Sequence, residues 1–301
     1  MKTTIGVDLH KDSMTCVVLD EQGAVLERRE IATKCRKQIG DYFGSYGLHS
    51  TVAVESVGFY QWFWDLVRPQ VGGISLADPA GVRAFAGRKT KTDRNDALLL
   101  ATLLREDRLP YAYVPSEPVR AVRELVRHRM SVARSLALER RQLRWLSLKN
   151  NLPGPLTLTS ARAQKWLLTQ EPKLSPAHRL AARQRLSHIV ALERDLFDVE
   201  EAIDKAIEAD EAMLQRVRLF ESIPGIGRLC AATILAETGD ITRFKNIDEL
   251  SSYAGLAPRV SQSGETIHHG HISKQGPPIL RWVLQQAAWV AIRCDPRARA
   301  I

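Results

Sequence analysis

Close to its start the chain carries the stretch TTIGVD at residues 3–8, which is apolar, rich in β-branched residues and closed by a carboxylate. These features predict a β-strand. Apolar runs at 14–19 and 24–31 lie on either side of a turn-like DEQG at residues 20–23, so we expect a β-meander. The first strand would deliver Asp8 to an edge of the sheet.

After the meander, signals for strands and helices alternate along the chain. They predict strands at 51–55 and 73–77 and helices at 34–46, 59–68, 79–86 and 93–106. Alternation of this kind predicts an α/β fold, in which helices cover a sheet. We therefore place a first domain at residues 1–114.

Two long helical stretches follow, one from about 117 to 150 and the other from about 176 to 218. We expect them to pack as an antiparallel coiled-coil hairpin in a linker domain, residues 115–213. A third, mostly helical domain, residues 214–301, completes a fold of the class α/β plus all-α.

The two long helices carry opposite charge. Residues 119–149 hold nine Lys or Arg and two acidic residues, whereas residues 191–211 hold two Lys or Arg and nine acidic residues. Two interpretations are open: the basic helix pairs with the acidic one, or it binds nucleic acid. Over the whole chain, 43 Lys and Arg against 34 Asp and Glu give a formal net charge of +9, which favours polyanionic partners.

Composition and hydropathy exclude several classes of protein. The chain has 301 residues, 45% hydrophobic and 26% charged, which is typical of a globular rather than a disordered protein. No stretch approaches the roughly 20 apolar residues of a membrane span, and residues 1–8 lack the apolar region of a signal peptide. We expect a cytoplasmic protein without a membrane partner. Its scattered cysteines would be reduced thiols, namely Cys16, Cys35, Cys230 and Cys294.

Four acidic residues stand where they can converge. Asp8 and Glu55 each close a predicted strand, and at positions i and i+3 Asp93 and Asp96 share one face of a predicted helix. Carboxylates brought together repel one another unless a cation neutralises them, and Mg²⁺ or Mn²⁺ prefers such oxygen ligands. Two ions of this kind can stabilise the attacking and leaving oxygens in phosphodiester chemistry.

Each acid also has an ordinary structural interpretation. Asp8 and Glu55 could merely mark strand ends, and Asp93 and Asp96 could cap or charge the first turn of a helix. A site is favoured by the basic run directly before the helix, which would hold a phosphate backbone or else form a solvated loop. The cations of this run are Arg88, Lys89 and Lys91.

The C-terminal region contains a second set of candidates. The stretch IPGIG at 223–227 resembles a helix-hairpin-helix motif, whose glycines and helix-terminal amides contact phosphate. The alternative is a tight turn between two helices. Basic residues further along either hold phosphate or are simply solvated. The nucleic-acid candidates are Gly225, Gly227, Arg228, Lys274 and Arg281.

A polar loop leads into a last helix that begins near Pro277. Ser263 in this loop stands beside a glycine, and an activated serine hydroxyl can attack phosphorus, although Ser-Gly is also an ordinary turn pair. The histidines of residues 268–271 lack partners at a convincing zinc-ligand spacing, so we expect no zinc site. Trp282 and Trp289, seven residues apart, predict one buried helix face.

Together these residues resemble the insertion-sequence-110 family of transposases, also called DEDD transposases, which includes the Piv-type invertases. The resemblance extends over nearly the whole chain. It rests on GVDLHK at 6–11, VESVG at 54–58, Asp78-Pro79, residues 88–97, 222–227 and 253–258, Ser263-Gly264, and ISKQG at 272–276.

The resemblance implies a RuvC-like, ribonuclease-H-type N-terminal domain, a coiled-coil linker and a small helical transposase domain with a helix-hairpin-helix-like motif. It assigns the nucleophile to Ser263, which would form a covalent phosphoserine link to DNA. The implied metal-binding and catalytic acids are Asp8, Glu55, Asp93 and Asp96. It also implies a homo-oligomer, a dimer or tetramer, in which acids and serine meet between protomers, and a structured guide RNA that pairs with donor and target DNA.

We therefore expect a DNA transposase or site-specific recombinase that depends on Mg²⁺ or Mn²⁺ and is guided by RNA. Two alternatives stay open: a RuvC-like nuclease that cuts branched DNA with metal-activated water, and an inactive nucleic-acid-binding remnant. Family members usually continue with further helical sequence beyond the point where this chain stops, residue 301. The short C-terminus would mark either a truncated gene or a naturally short member.

Overall fold

The computed structural model describes residues 2–85, 93–154, 159–263 and 266–299. At 93–94, 260–263, 266–269 and 297–298 the description covers the backbone only. The chain divides into two compact units, Met1–Val114 and Pro115–Ile301. The fold is mixed α/β and mostly helical, which confirms the predicted fold class in its coarse form.

A five-stranded sheet forms the centre of the first unit. Its strands are β1 (Thr3–Leu9), β2 (Ser13–Leu19), β3 (Val25–Ala32), β4 (Ser50–Glu55) and β5 (Gly73–Ala77). They lie in the order β3-β2-β1-β4-β5. The first three strands form the predicted antiparallel meander, whereas β4 runs parallel to β1 and β5 runs parallel to β4.

Helices cover both faces of this sheet. They are α1 (Arg36–Tyr46), α2 (Gln61–Val67), α3 (Pro79–Phe85) and α4 (Asp93–Arg105), with short 3-10 helices at Gly47–His49 and Arg68–Gln70. Successive side chains of a strand point to opposite faces. Ile5 and Val7 of β1 therefore share one core with Phe43 of α1 and Phe63 of α2, while α4 packs on the other face.

Gly6 lets α4 lie directly on the sheet. A Cβ at Gly6 would stand 2.6 Å from the backbone nitrogen of Ala101, and closer still to the carbonyl oxygen of Ala97. Ala53 of β4 belongs to the same apolar cluster as Leu100 of α4. Small residues at this point of the sheet thus bring the backbone of α4 against β1.

The second unit is mostly helical. Its elements are α5 (Glu117–Lys149), α6 (Ser160–Gln170), α7 (Pro176–Glu208), α8 (Glu211–Glu221), α9 (Arg228–Thr238), α10 (Ile247–Ala254), β6 (Pro258–Ser263), β7 (Thr266–Ile272), α11 (Pro278–Cys294) and α12 (Pro296–Arg299), with 3-10 helices at Glu171–Lys173 and Ile241–Arg243. In the part of the chain that the structure describes, no helix is long and apolar enough to span a bilayer.

α5 and α7 form the predicted antiparallel hairpin. Arg129 of α5 pairs with Glu200 of α7 at 2.7 Å, whereas the later Arg140 pairs with the earlier Glu193 at 2.7 Å. Pairing with acids therefore accounts for part of the basic charge of α5. Further cations of α5 are exposed, among them Arg134, Arg141 and Lys149.

The structure differs from the sequence-based expectation in three places. The stretch 176–218 is two helices, because the side chain of Asp210 accepts a hydrogen bond from the Met213 amide at 3.0 Å and begins α8. α6 lies in a segment where the sequence predicts no helix. β6 and β7 form a hairpin where the sequence predicts a loop in a helical domain.

The predicted boundary between residues 213 and 214 runs through an apolar cluster. Side chains of α5, α7, α8 and α9 share this cluster, among them Val122, Ile203, Val217 and Ala232. The division of the second unit into two domains stays a prediction.

Candidate active site

Two acids lie at the ends of neighbouring strands, at one edge of the sheet: Glu55 is the last residue of β4, and Asp8 is the last but one of β1. Val7 pairs with Val54 in the parallel ladder, so Asp8 and Glu55 are the next residues of β1 and β4. Asp8 lies on the face that α4 covers, because it follows Gly6 by two residues. Its side chain is nearly buried, with the residue 7% exposed, whereas Glu55 is half-buried.

α4 brings a third acid to this edge. Its last residue, Arg105, lies against Gly23 in the turn after β2, at the opposite end of the sheet from Asp8. α4 therefore runs antiparallel to β1, and its first turn lies near the end of β1. Asp96 is half-buried and directly precedes Ala97, whose carbonyl meets β1.

Three of the four predicted acids thus share one edge of the sheet. Asp93 starts α4 less than one turn before Asp96, and its side chain lies outside the description. Among the described side chains, no group of three or more His, Cys, Asp or Glu could hold a metal ion as it stands. The donor chemistry, carboxylates alone, fits a hard divalent cation. The cations of the preceding run lie outside the described residues: Arg88, Lys89 and Lys91.

His10 also lies at this edge, although the sequence did not mark it as a site residue. Its Nε2 lies 3.1 Å from Oδ2 of Asp8. The usable signal was its spacing, because residues two apart on an extended chain point to the same face.

Ser263 lies on the hairpin. It ends β6 and pairs with Thr266 of β7, directly before the two residues that connect the strands. The backbone of Ser263 is described and its side chain is not. The predicted nucleophile therefore stands at the end of a paired strand rather than within an open loop.

The two candidate glycines have different roles. Gly225 has a φ of +93°, and a Cβ there would stand 2.6 Å from the carbonyl oxygen of Ala287 in α11. The close approach of α11 therefore requires this glycine, which favours the tight-turn interpretation. Gly227 is exposed and caps the start of α9, so a phosphate contact there stays a prediction.

Arg228 is surrounded by acids of its own chain. It forms ion pairs with Asp204 at 2.9 Å, Glu208 at 3.2 Å and Glu221 at 3.9 Å. The hydrogen bond with Asp204 is the largest cause of a raised pKa at Arg228. This arrangement argues against the predicted contact between Arg228 and nucleic acid.

Arg281 and Lys274 also differ from each other. Arg281 donates hydrogen bonds to the carbonyl oxygens of Ala254 at 3.1 Å and Gly276 at 3.0 Å, and so ties the end of α10 to the loop before α11. Lys274 in that loop is exposed and has a φ of +56°. Of these two cations, Lys274 is the better placed for a phosphate.

The predicted buried face at Trp282 and Trp289 is wrong. The two side chains are 46% and 56% exposed. α11 has the expected helical periodicity, but the face that packs on the rest of the unit is a different one. It consists of Ile279, Leu280, Val283 and Ala287.

Two family models match separate parts of the chain. Residues 217–301 match the model described as "Transposase IS116/IS110/IS902 family". Residues 5–148 match a model for DEDD transposases of the IS110 type, described as "Transposase". The four acids lie within the second match, and Ser263 lies within the first.

The chain is also similar to individual transposases. The chain is 32% identical over 221 residues to the putative transposase y4qE of Sinorhizobium fredii, covering 73% of this chain and 52% of that protein. It is 27% identical over 299 residues to the transposase for insertion sequence element IS1111A of Coxiella burnetii, covering 96% of this chain and 78% of that protein. The chain thus spans about half of the first relative and about three quarters of the second.

A solved structure, T. thermophilus RuvC in complex with Holliday junction substrate, is similar over 37% of this chain and 100% of that chain, with 14% identity and a TM-score of 0.28. The two family matches and the named relatives agree with one another. By the two family matches, residues 5–148 and 217–301 of the chain belong to the IS116/IS110/IS902 family of transposases.

Proposed function

We propose that this chain is a DNA transposase that cuts and rejoins DNA strands at the edge of its sheet. The observation that carries the proposal is the parallel register of β1 and β4, which sets Asp8 beside Glu55 under the first turn of α4. A mixed sheet with acids at strand ends and a helix across them also supports the RuvC-like, ribonuclease-H-type fold that the family resemblance implies.

The site would bind divalent cations, Mg²⁺ with Mn²⁺ as a substitute. Bound there, the ions would stabilise negative charge on the attacking and leaving oxygens of a phosphodiester. Carboxylate oxygens are the ligands that a hard divalent cation prefers, and the position of Asp8 beside Glu55 supports its place in a cation site. The ligands would be Asp8, Glu55, Asp93 and Asp96, and the adjacent phosphates would lie on Arg88, Lys89 and Lys91.

Ser263 would be the nucleophile. Its Oγ attacks phosphorus, an Oγ–P bond forms, the bridging P–O bond of the DNA strand breaks, and the leaving oxygen takes a proton in place of the one the serine loses. The phosphoserine retains the energy of the broken bond, so that a hydroxyl of another strand can displace the serine. Hydrolysis would release the DNA end and lose that energy.

Donor and target DNA would be chosen by a structured guide RNA that pairs with both. The formal net charge of +9 and the exposed cations of α5 support a polyanionic partner. The chain would act as a dimer or tetramer in which the acids of one protomer meet the serine of another. Its parts would be a catalytic domain at 1–114, a coiled-coil linker at 115–213 and a transposase domain at 214–301.

A covalent-trapping assay tests the proposal. The full chain is incubated with Mg²⁺, DNA that carries the junction of the element, and RNA transcribed from the flanking DNA, and the products are separated on a denaturing gel. We expect a protein–DNA adduct that is lost in Ser263→Ala and in Asp8→Asn. Ser261→Ala, on the same strand, is the matched control and should leave the adduct in place.

Other outcomes would select the alternatives. Cleavage without an adduct, unchanged in Ser263→Ala, would favour a metal-dependent nuclease that uses water as the nucleophile. Binding without any cleavage would favour an inactive remnant. An adduct that persists in Ser263→Ala would mean that another side chain is the nucleophile.

A further inference from the structure

His10 is joined to the buried acid of the site. Its Nε2 lies 3.1 Å from Oδ2 of Asp8. The Asp8 side chain is 9% exposed, whereas that of His10 is 50% exposed. One oxygen of a nearly buried carboxylate is therefore tied to an imidazole that is half in solvent. A carboxylate only accepts hydrogen bonds, so the proton of this bond belongs to the imidazole.

The backbone fixes the position of His10 independently of Asp8. The His10 amide donates to the carbonyl oxygen of Ser13 at 2.9 Å and closes the turn between β1 and β2. Thr33, directly after β3, also bonds to this turn. Its Oγ1 donates to the carbonyl oxygen of Lys11 at 2.6 Å, and its amide donates to the carbonyl oxygen of Asp12 at 3.1 Å. These hydrogen bonds hold the turn between β1 and β2 in place, and the turn positions the His10 imidazole beside the Asp8 carboxylate.

We propose that His10 is a positioning residue for Asp8: by holding Oδ2 it fixes the rotation of the carboxylate, so that Asp8 is preorganised as a ligand for a divalent cation. Metal-binding carboxylates are commonly held by such outer hydrogen bonds, and loss of the outer partner typically weakens metal binding about 10- to 100-fold. The inference rests on the proposed role of Asp8 in the metal site.

The exposure of His10 separates this role from a structural one. A side chain that is half in solvent buries little apolar surface, so its removal should change the unfolding temperature little. Loss of the hydrogen bond would instead weaken metal binding, because Asp8 would no longer be held in its orientation. The chain also offers a matched control in His188, a 62% exposed histidine of α7 whose Nδ1 lies 3.4 Å from a carboxylate oxygen of Glu139.

The experiment measures Mn²⁺ binding to the full chain, without nucleic acid, by electron paramagnetic resonance. Five proteins are compared: wild type, His10→Ala, His10→Gln, Asp8→Asn and His188→Ala. We expect His10→Ala to weaken binding about 10- to 100-fold. His10→Gln, which keeps an N–H donor, should recover most of it. Asp8→Asn should abolish binding, and His188→Ala should bind like wild type.

Any of four results would overturn the inference. If His10→Ala binds Mn²⁺ like wild type while Asp8→Asn does not, the proposed site stands and the role of His10 falls. If His10→Gln is as weak as His10→Ala, or if metal-free His10→Ala melts well below His188→Ala, the role is not that of a positioning hydrogen bond. If wild type itself fails to bind Mn²⁺, the proposed metal site fails and takes this inference with it.

Discussion

Arg127 of α5 clamps the fully buried carboxylate of Glu237 on α9. Its Nε donates to Oε1 at 2.7 Å and a terminal nitrogen donates to Oε2 at 2.9 Å. Glu237 is 0% exposed, whereas the Arg127 side chain is 49% exposed. The bidentate pair therefore joins the long hairpin to the helices that precede Ser263, and it compensates a charge that has no access to water.

Removal of Arg127 should be costly, because it leaves the Glu237 carboxylate buried and uncompensated. We expect Arg127→Ala to lower the free energy of unfolding by about 3 kcal/mol, measured by urea denaturation. Arg134→Ala, at an exposed position of the same helix, should change it by less than about 0.5 kcal/mol. The double variant Arg127→Met/Glu237→Leu should recover much of the loss; equal losses in Arg127→Ala and Arg134→Ala would show that the clamp does not stabilise the fold.

Stability should depend on pH through Glu193. Burial alone would raise the pKa of this carboxyl, but hydrogen bonds with Ser160 and Arg140 outweigh it and hold the pKa below its usual value of 4.5. A depressed pKa contributes stability above the unfolded-state pKa, and this contribution is lost as pH falls through the folded-state value. The free energy of unfolding of wild type should therefore exceed that of Glu193→Gln by about 1 kcal/mol at pH 7.

The difference in unfolding free energy between wild type and Glu193→Gln should shrink as the pH is lowered below 4.5, the usual pKa of this carboxyl group. Urea unfolding of both proteins between neutral and acid pH measures it. A difference that stays constant over this range would show that the contribution of Glu193 does not come from its charge.

Gly6→Ala should disturb the fold and the site together. The added methyl would stand 2.6 Å from the backbone nitrogen of Ala101 and even closer to the carbonyl of Ala97, and a helix backbone cannot yield locally. We expect a loss of about 2 kcal/mol or more in unfolding free energy. Mn²⁺ binding should also weaken, because α4 carries Asp96 and must shift.

Gly40→Ala is the control for this substitution. Gly40 lies in α1, and a Cβ there has no neighbour within 4 Å. Because alanine is the better helix former, this variant should be as stable as wild type or more stable by roughly 0.5–1 kcal/mol. Equal behaviour of the two variants would contradict the close packing of α4 on β1.

Substitution of Arg228 and of Lys274 should distinguish a cation that stabilises the fold from one that binds nucleic acid. Arg228→Ala removes three ion pairs and should cost about 1 kcal/mol of unfolding free energy while leaving DNA affinity unchanged. Lys274→Ala should leave stability unchanged, weaken DNA binding, and reduce the slope of log affinity against log salt by about 1. Fluorescence anisotropy over a series of salt concentrations measures the DNA affinity and its salt slope for each variant. If Arg228→Ala weakened DNA binding and Lys274→Ala did not, the two assignments would be exchanged.

Local sequence predicted the elements around the site with little error. The strand at 73–77 and the start of the helix at residue 93 agree with β5 and α4. β-branched runs and helical periodicity act over a few residues, so they can be recognised without knowledge of the fold. The placement of Asp8 and Glu55 at strand ends follows from the same signals.

Local signals do not show the surroundings of a residue whose contacts come from distant parts of the chain. α11 has the predicted helical periodicity, yet Trp282 and Trp289 lie on its exposed side. The stretch around Gly225 has the composition of a phosphate-binding turn, but α11, some 60 residues later in the chain, occupies the space beside this glycine. Arg228 meets acids of α7 and α8 that no spacing rule connects to it.

Residue type and short-range spacing were enough to predict the five strands of the sheet and the helices of the first unit, because these signals act over a few residues, but they did not predict α6, β6 or β7. The same local signals marked the candidate acids and Ser263 by their chemistry alone. Local signals could not show that Asp8 lies beside Glu55, that α4 runs antiparallel to β1, or that the imidazole of His10 contacts the Asp8 carboxylate. Those relationships depend on strand register and helix packing, which are set by contacts between residues far apart in the chain.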